Sequence, residues 1–179
     1  TGTLYRYFEH KESLVNEVYR DAKLRLRDAL LDNSVTVDIS SLGAAEAWFA
    51  ALWSRLAAFA RANPQAFRFL EMQDHVEYLD DASKQLELSV LAPLLLAGRR
   101  LRDRTAGIAI EIAIALIWGA FVGLIKADRL GYLSLDDARL DSARAACWRI
   151  LAPDRPVAHP IARRAPRRSR STRRSAKGR

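Results

Sequence analysis

Gly2-Thr3-Leu4-Tyr5-Arg6-Tyr7-Phe8-Glu9-His10-Lys11-Glu12-Ser13-Leu14 is the most informative stretch of this chain. A glycine leads into a run in which rings, hydroxyls and a guanidinium alternate with apolar side chains, and a lysine follows one turn later. That mixture suits a short helix lying in a DNA groove, followed by a second helix pinned to a phosphate. The Thr3 hydroxyl and methyl can meet a base edge or a phosphate. Tyr5 and Tyr7 can donate to phosphate oxygens while their rings pack over the sugars, and Arg6 can read a guanine or neutralise a phosphate. Lys11 opens the next helix and can reach a phosphate together with the neighbouring amides of that helix start. Leu4, Phe8 and Leu14 fit a small core behind this surface. By composition alone, the same residues also read as an aromatic helix start carrying solvated charges.

The ordered pattern Gly-Thr-Leu-Tyr-Arg-Tyr-Phe-x-x-Lys-x-x-Leu resembles the end of the helix-turn-helix in TetR/AcrR-family transcriptional regulators. The resemblance implies an all-α protein in which a three-helix DNA-binding unit precedes a helical ligand-binding and dimerisation domain. It implies DNA contacts through Thr3, Tyr5, Arg6, Tyr7 and Lys11. It also implies that the first two helices of the unit stand upstream of Thr1. A helix-turn-helix needs its first helix as a brace, so residues 1–179 alone are not expected to bind an operator specifically. His10 stands where the family usually has a small capping residue, and histidine caps poorly.

Outward from the motif, the sequence reads as helix throughout. Alanine and leucine are abundant, and only 8 glycines and 6 prolines are present. Residues 11–32 carry Leu14, Val18, Ala22, Leu26 and Leu30 in one stripe, with Glu17, Arg20, Arg25, Arg27 and Asp28 largely off it. Residues 33–40 break the pattern. Residues 41–62 form a second helix with Trp48, Leu52, Leu56 and Phe59 near one face; Phe49, Trp53 and Ala60 widen it. Asn63-Pro64 marks a boundary, and a short helix is predicted over 65–79. Asp80 or Asp81 caps a fourth helix to about Arg102, with Pro93 inside it and expected to kink it. Ile108 to Ile125 is apolar all round, with Glu111 its only charge, so it must be buried on every side or lie in lipid. Glu111 and the small residues Ala109, Ala113, Ala115, Gly119 and Gly123 favour packing against protein. Gly131 follows its end, and Ser134-x-x-Asp137 resembles a capping box for a last helix to about Leu151, stopped by Pro153 and Pro156.

These elements give three regions: 1–32, the end of the DNA-binding unit and a connecting helix; 33–152, a ligand-binding and dimerisation domain; and 153–179, a basic tail. The formal charge of +8 belongs to the tail. From Arg155 on there are ten Lys and Arg and no Asp or Glu, so 19 of the 29 basic residues stand with all 21 acidic ones in residues 1–154, a balance near −2. With almost no large apolar residue after Ile161, the tail is expected to be disordered. It could add salt-sensitive attraction to DNA, touch an anionic membrane, or be an idle extension. With Cys147 the only cysteine, no disulfide framework can form within one chain, and a cytoplasmic location is expected.

The apolar helix at 108–125 and the capped helix after it could form half of a four-helix seam in a homodimer. Trp48, Trp53, Phe59, Phe67, Trp118 and Phe121 offer walls for a pocket, though each equally suits plain core. Glu71 and His75, four apart on one helix face, could orient a polar group of an effector. The residues expected to touch a small-molecule effector are Trp53, Phe67, Glu71, His75 and Trp118. The Glu71–His75 pair could hold a metal only if Glu111 or Glu87 joined it, and neither metal nor cofactor is expected. No phosphate loop and no nucleophile–base spacing is present, so the chain reads as a regulator rather than an enzyme. The function expected is a DNA-binding repressor released from its operator by a small molecule. Its rivals are a helical dimeric scaffold or ligand-binding protein without a DNA role, and a membrane protein resting on 108–125 alone.

Overall fold

The computed structural model describes residues 10–31, 37–71, 77–105 and 108–153. Six helices follow one another: α1 Lys11–Leu30, α2 Leu42–Ala62, α3 Pro64–Glu71, α4 Asp81–Thr105, α5 Ile110–Arg129 and α6 Asp137–Leu151. No strand occurs among the described residues. The fold is all-α, as the sequence predicts. The segment Thr3–Tyr7, His75 and the tail beyond Pro153 lie outside the described residues.

Local chemistry sets the helix ends. Ser41 caps α2, its Oγ accepting the Ala44 N–H at 3.1 Å. Asp80 caps α4, with Oδ1 accepting the Ser83 N–H at 2.8 Å. His10, at the start of α1, makes no side-chain cap bond. The capping-box reading of Ser134 needs correction. The cap of α6 is Asp136, whose Oδ1 accepts the Arg139 N–H at 2.8 Å, while the Ser134 carbonyl accepts from the Arg139 guanidinium. A carboxylate one residue before the helix outcompetes a hydroxyl three residues before it. Gly131 closes α5 at φ +75°, with Gly131 N–H bonded to Asp128 O and Tyr132 N–H to Ala127 O, a Schellman pair.

The core lies where α2 meets α3, α5 and α6. The Trp53 and Phe121 rings meet edge to face at 5.1 Å, and Phe67 and Phe121 at 5.7 Å, while Phe49 and Trp148 lie tilted at 5.7 Å. Phe121 and Phe67 are almost wholly enclosed. On α2, Phe49, Trp53, Leu56, Phe59 and Ala60 are buried, and Trp48 and Leu52 are half-buried. Near Gly98, α4 and α5 approach so closely that a Cβ would lie 2.2 Å from Ile110 Cδ1.

Two helices depart from expectation. On α1 the stripe does not run straight through Val18, which is exposed; the buried face passes through Asn16, Tyr19 and Lys23 instead. On α5 only 17% of the apolar segment is buried within the subunit, although by length and composition it could cross a membrane. Ile112, Leu116, Gly119, Ala120 and Gly123 form an open apolar face on it.

Candidate functional site

Four polar residues, Asn16, Arg20, Asp80 and Ser83, weld α1 to the start of α4. Asn16, buried on α1, donates through Nδ2 to the carbonyls of Tyr78 at 2.7 Å and Glu12 at 2.9 Å. Its Oδ1 accepts from the Asp80 N–H at 2.9 Å and the Ser83 hydroxyl at 2.8 Å. Arg20 Nη1 completes the junction with a 2.8 Å ion pair to Asp80 Oδ2. The backbone N–H of Ser83 first, and Arg20 beside it, hold the Asp80 carboxyl below its ordinary range.

Beyond this junction α1 and α4 part around a cavity of about 700 Å3, closed further by α2, α5 and the end of α6. Leu, Ile and Val side chains supply most of the wall, with Leu26, Leu52, Leu91 and Ile114 among them. Four aromatic rings join them, those of Tyr19, Trp48, Phe49 and Trp118. The volume and apolar lining suit a drug-sized molecule or a long aliphatic chain.

One polar cluster interrupts that wall. Lys23 Nζ pairs with Glu87 Oε2, and the Tyr19 hydroxyl donates to the same oxygen. Burial first, then the Glu87 hydrogen bond and charge, push the Tyr19 phenol well above its ordinary pKa. Lys84, one turn before Glu87 on α4, borders the cavity too; its nearest acidic partner is Asp81 at 3.9 Å. Glu111 also borders the cavity and pairs with Arg99 at 3.1 Å.

Of the five residues expected to touch an effector, Trp118 lines this cavity. Trp53 and Phe67 sit in the aromatic core, and Trp53 Nε1 is buried without a hydrogen-bond partner. Glu71 turns its Oε1 to Arg129 at 2.9 Å, and its Oε2 is buried without a partner. His75 lies outside the described residues. Among the described residues no cluster of three or more His, Cys, Asp and Glu side chains is placed to hold a metal. Lys11 is exposed, its ammonium 5.2 Å from the centre of the Tyr78 ring. Cys147 is buried, and burial raises its thiol pKa. Sequence reasoning missed Tyr19 and Lys23, and it considered Glu87 only as a third metal ligand beside Glu71 and His75. The one available signal was a lysine four residues from Tyr19, spaced to share its helix face.

These features define a class: an all-α body around a ligand-sized, largely apolar cavity. A family model described as tetracyclin repressor-like, C-terminal domain, matches residues 29–152. The chain belongs to this family, and the match supports a TetR-type transcriptional regulator. No curated protein matches the chain.

Proposed function

We propose that this chain is the effector-sensing and dimerising part of a cytoplasmic repressor that leaves its operator when a small molecule enters the α1–α4 cavity. The observation that carries the reading is the cavity itself, because its wall is shared between α4 and α1, the helix that begins at Lys11 and follows Thr3, Tyr5, Arg6 and Tyr7, which with Lys11 are the residues proposed to touch DNA. A molecule that wedges α4 away from α1 must strain or re-aim the Asn16 junction, and α1 would carry that change to its Lys11 end. A ligand shifts such an equilibrium only by its difference in affinity for the two arrangements. A cavity of this size also argues against a pure scaffold, which has no use for one. The open face of α5, together with exposed small residues Ala138, Ser142 and Ala146 on α6, supports a two-fold partner that would place two reading heads on successive grooves.

The test uses a protein carrying the whole helix-turn-helix. Duplexes recovered from a random pool by binding enrichment give the operator. Arg6→Ala is expected to weaken binding and reduce the salt slope by about one. Leu91→Trp, which fills the cavity, is expected to leave operator binding intact and abolish release by any cavity ligand. Release that persists in Leu91→Trp, or a cavity ligand that binds without altering operator affinity, would count against the proposal.

A further inference from the structure

We infer that the cavity takes an amphipathic monoanion, an aliphatic chain ending in a carboxylate, whose head sits at Lys23 and Lys84 and whose tail fills the Leu, Ile and Val wall. This rests on the reading of the cavity as a ligand site. The wall argues for the tail. Flat aromatic ligands are held by stacking between rings, whereas branched aliphatic side chains from all six helices line most of this space and can follow a flexible chain.

Charge argues for the head. Four charged residues line the cavity, and both carboxylates are closely paired, Glu87 with Lys23 and Glu111 with Arg99, which leaves Lys84 as the weakly held charge, with only Asp81 at 3.9 Å. Lys23 is nearly enclosed, its side chain 11% exposed. An ammonium has three donors, so Lys23 can keep its ion pair and still donate to an incoming carboxylate. Lys84 is held only at 3.9 Å by a fully exposed Asp81 and can turn inward at little cost. A cationic head fits badly. It would crowd the Lys23 and Lys84 ammonium groups, or draw Glu87 away and leave Lys23 buried without a counter-ion, which is costly. A neutral head would gain the apolar burial but no charge complementarity.

The experiment uses residues 1–179 and three twelve-carbon probes below their micelle concentrations: dodecanoate, dodecanol and dodecyltrimethylammonium. Each competes with the neutral dye Nile red, and fluorescence of the dye and of Trp48 and Trp118 is followed. Dodecanoate is expected to bind at least tenfold more tightly than dodecanol, with the ammonium compound weakest. Lys84→Gln, an exposed change that spares the fold, is expected to remove most of that preference while leaving dodecanol affinity unchanged; Lys23→Gln is expected to do the same. Equal affinities, a preference for the cation, or a preference that survives both lysine changes overturns the inference. Dye that binds in wild type, is lost in Leu91→Trp, and is not displaced by dodecanoate also overturns it, yet leaves the ligand cavity standing. Failure of dye and probes alike to enter overturns both readings.

Discussion

At the scale of the residue, Tyr19 shows how burial turns an ordinary side chain into a conditional one. Its phenol donates to Glu87 inside a mostly apolar wall, and its ionised form would stand against a carboxylate in poor solvent. The folded state therefore favours the protonated phenol, with a pKa raised above the ordinary value of about 10. Stability from this group is fully present below that value and is lost as pH rises beyond it. Tyr19→Phe is expected to cost about 1.5–3 kcal/mol at pH 7, the worth of one hydrogen bond to a charged acceptor. Urea unfolding of both proteins from pH 7 to 11 checks this. The gap between them should narrow above pH 10, and a constant gap would show that the raised pKa contributes nothing. The reading of α1 from sequence missed this residue because tyrosine and lysine break an apolar stripe on paper. In three dimensions they satisfy each other through a glutamate 64 positions beyond Lys23, which no local pattern reveals.

At the scale of the element, the Asn16 junction makes α1 and α4 one mechanical unit. A single amide serves four partners, two carbonyls and two donors, so its removal leaves the Asp80 N–H and the wholly buried Ser83 hydroxyl short of a partner. Asn16→Ala is expected to cost about 2–3 kcal/mol, because unsatisfied buried donors carry their full desolvation penalty. Amide exchange should quicken in the first turn of α4 and leave α2 unchanged; a uniform rise would mean that the junction does no local work. Acid should act at the same place. The Asp80 pKa is depressed, so its contribution is present above the ordinary carboxylate range and fades as pH falls through the lowered folded value. Helix existence was legible because it rests on local rules: the apolar faces of α2, the Asn63-Pro64 boundary, the Asp80 cap, Gly131 at the close of α5. The cap of α6 was misplaced by two residues because Ser134, Asp136 and Asp137 all suit a cap, and only the backbone decides among them. The split between pocket and core was not legible either, since Trp118 and Trp53 are alike in sequence and differ only in whether a neighbour fills the space beside them.

At the scale of the whole molecule, α5 poses the question that one subunit does not answer. The sequence demanded burial on every side, and the subunit buries 17% of the apolar segment. The uncovered face is apolar and narrow: Ile112 and Leu116 flank Gly119, Ala120 and Gly123, the profile that lets a second backbone approach closely. The family match spans α5, and α6, which packs against it, adds the exposed small residues Ala138, Ser142 and Ala146. A two-fold partner therefore accounts for the face better than a bilayer does. Ala120→Glu tests it, since a symmetry axis beside α5 brings two buried like charges together and leaves both without counter-ions. The dimer dissociation constant is expected to rise at least a hundredfold by sedimentation velocity. Helical content and Nile red binding should stay unchanged, because Ala120 is exposed in the subunit and remote from the cavity wall. A wild-type chain that sediments as a monomer without detergent, or that partitions onto neutral lipid vesicles through this helix, would remove the dimer and the two-headed grip on DNA that depends on it.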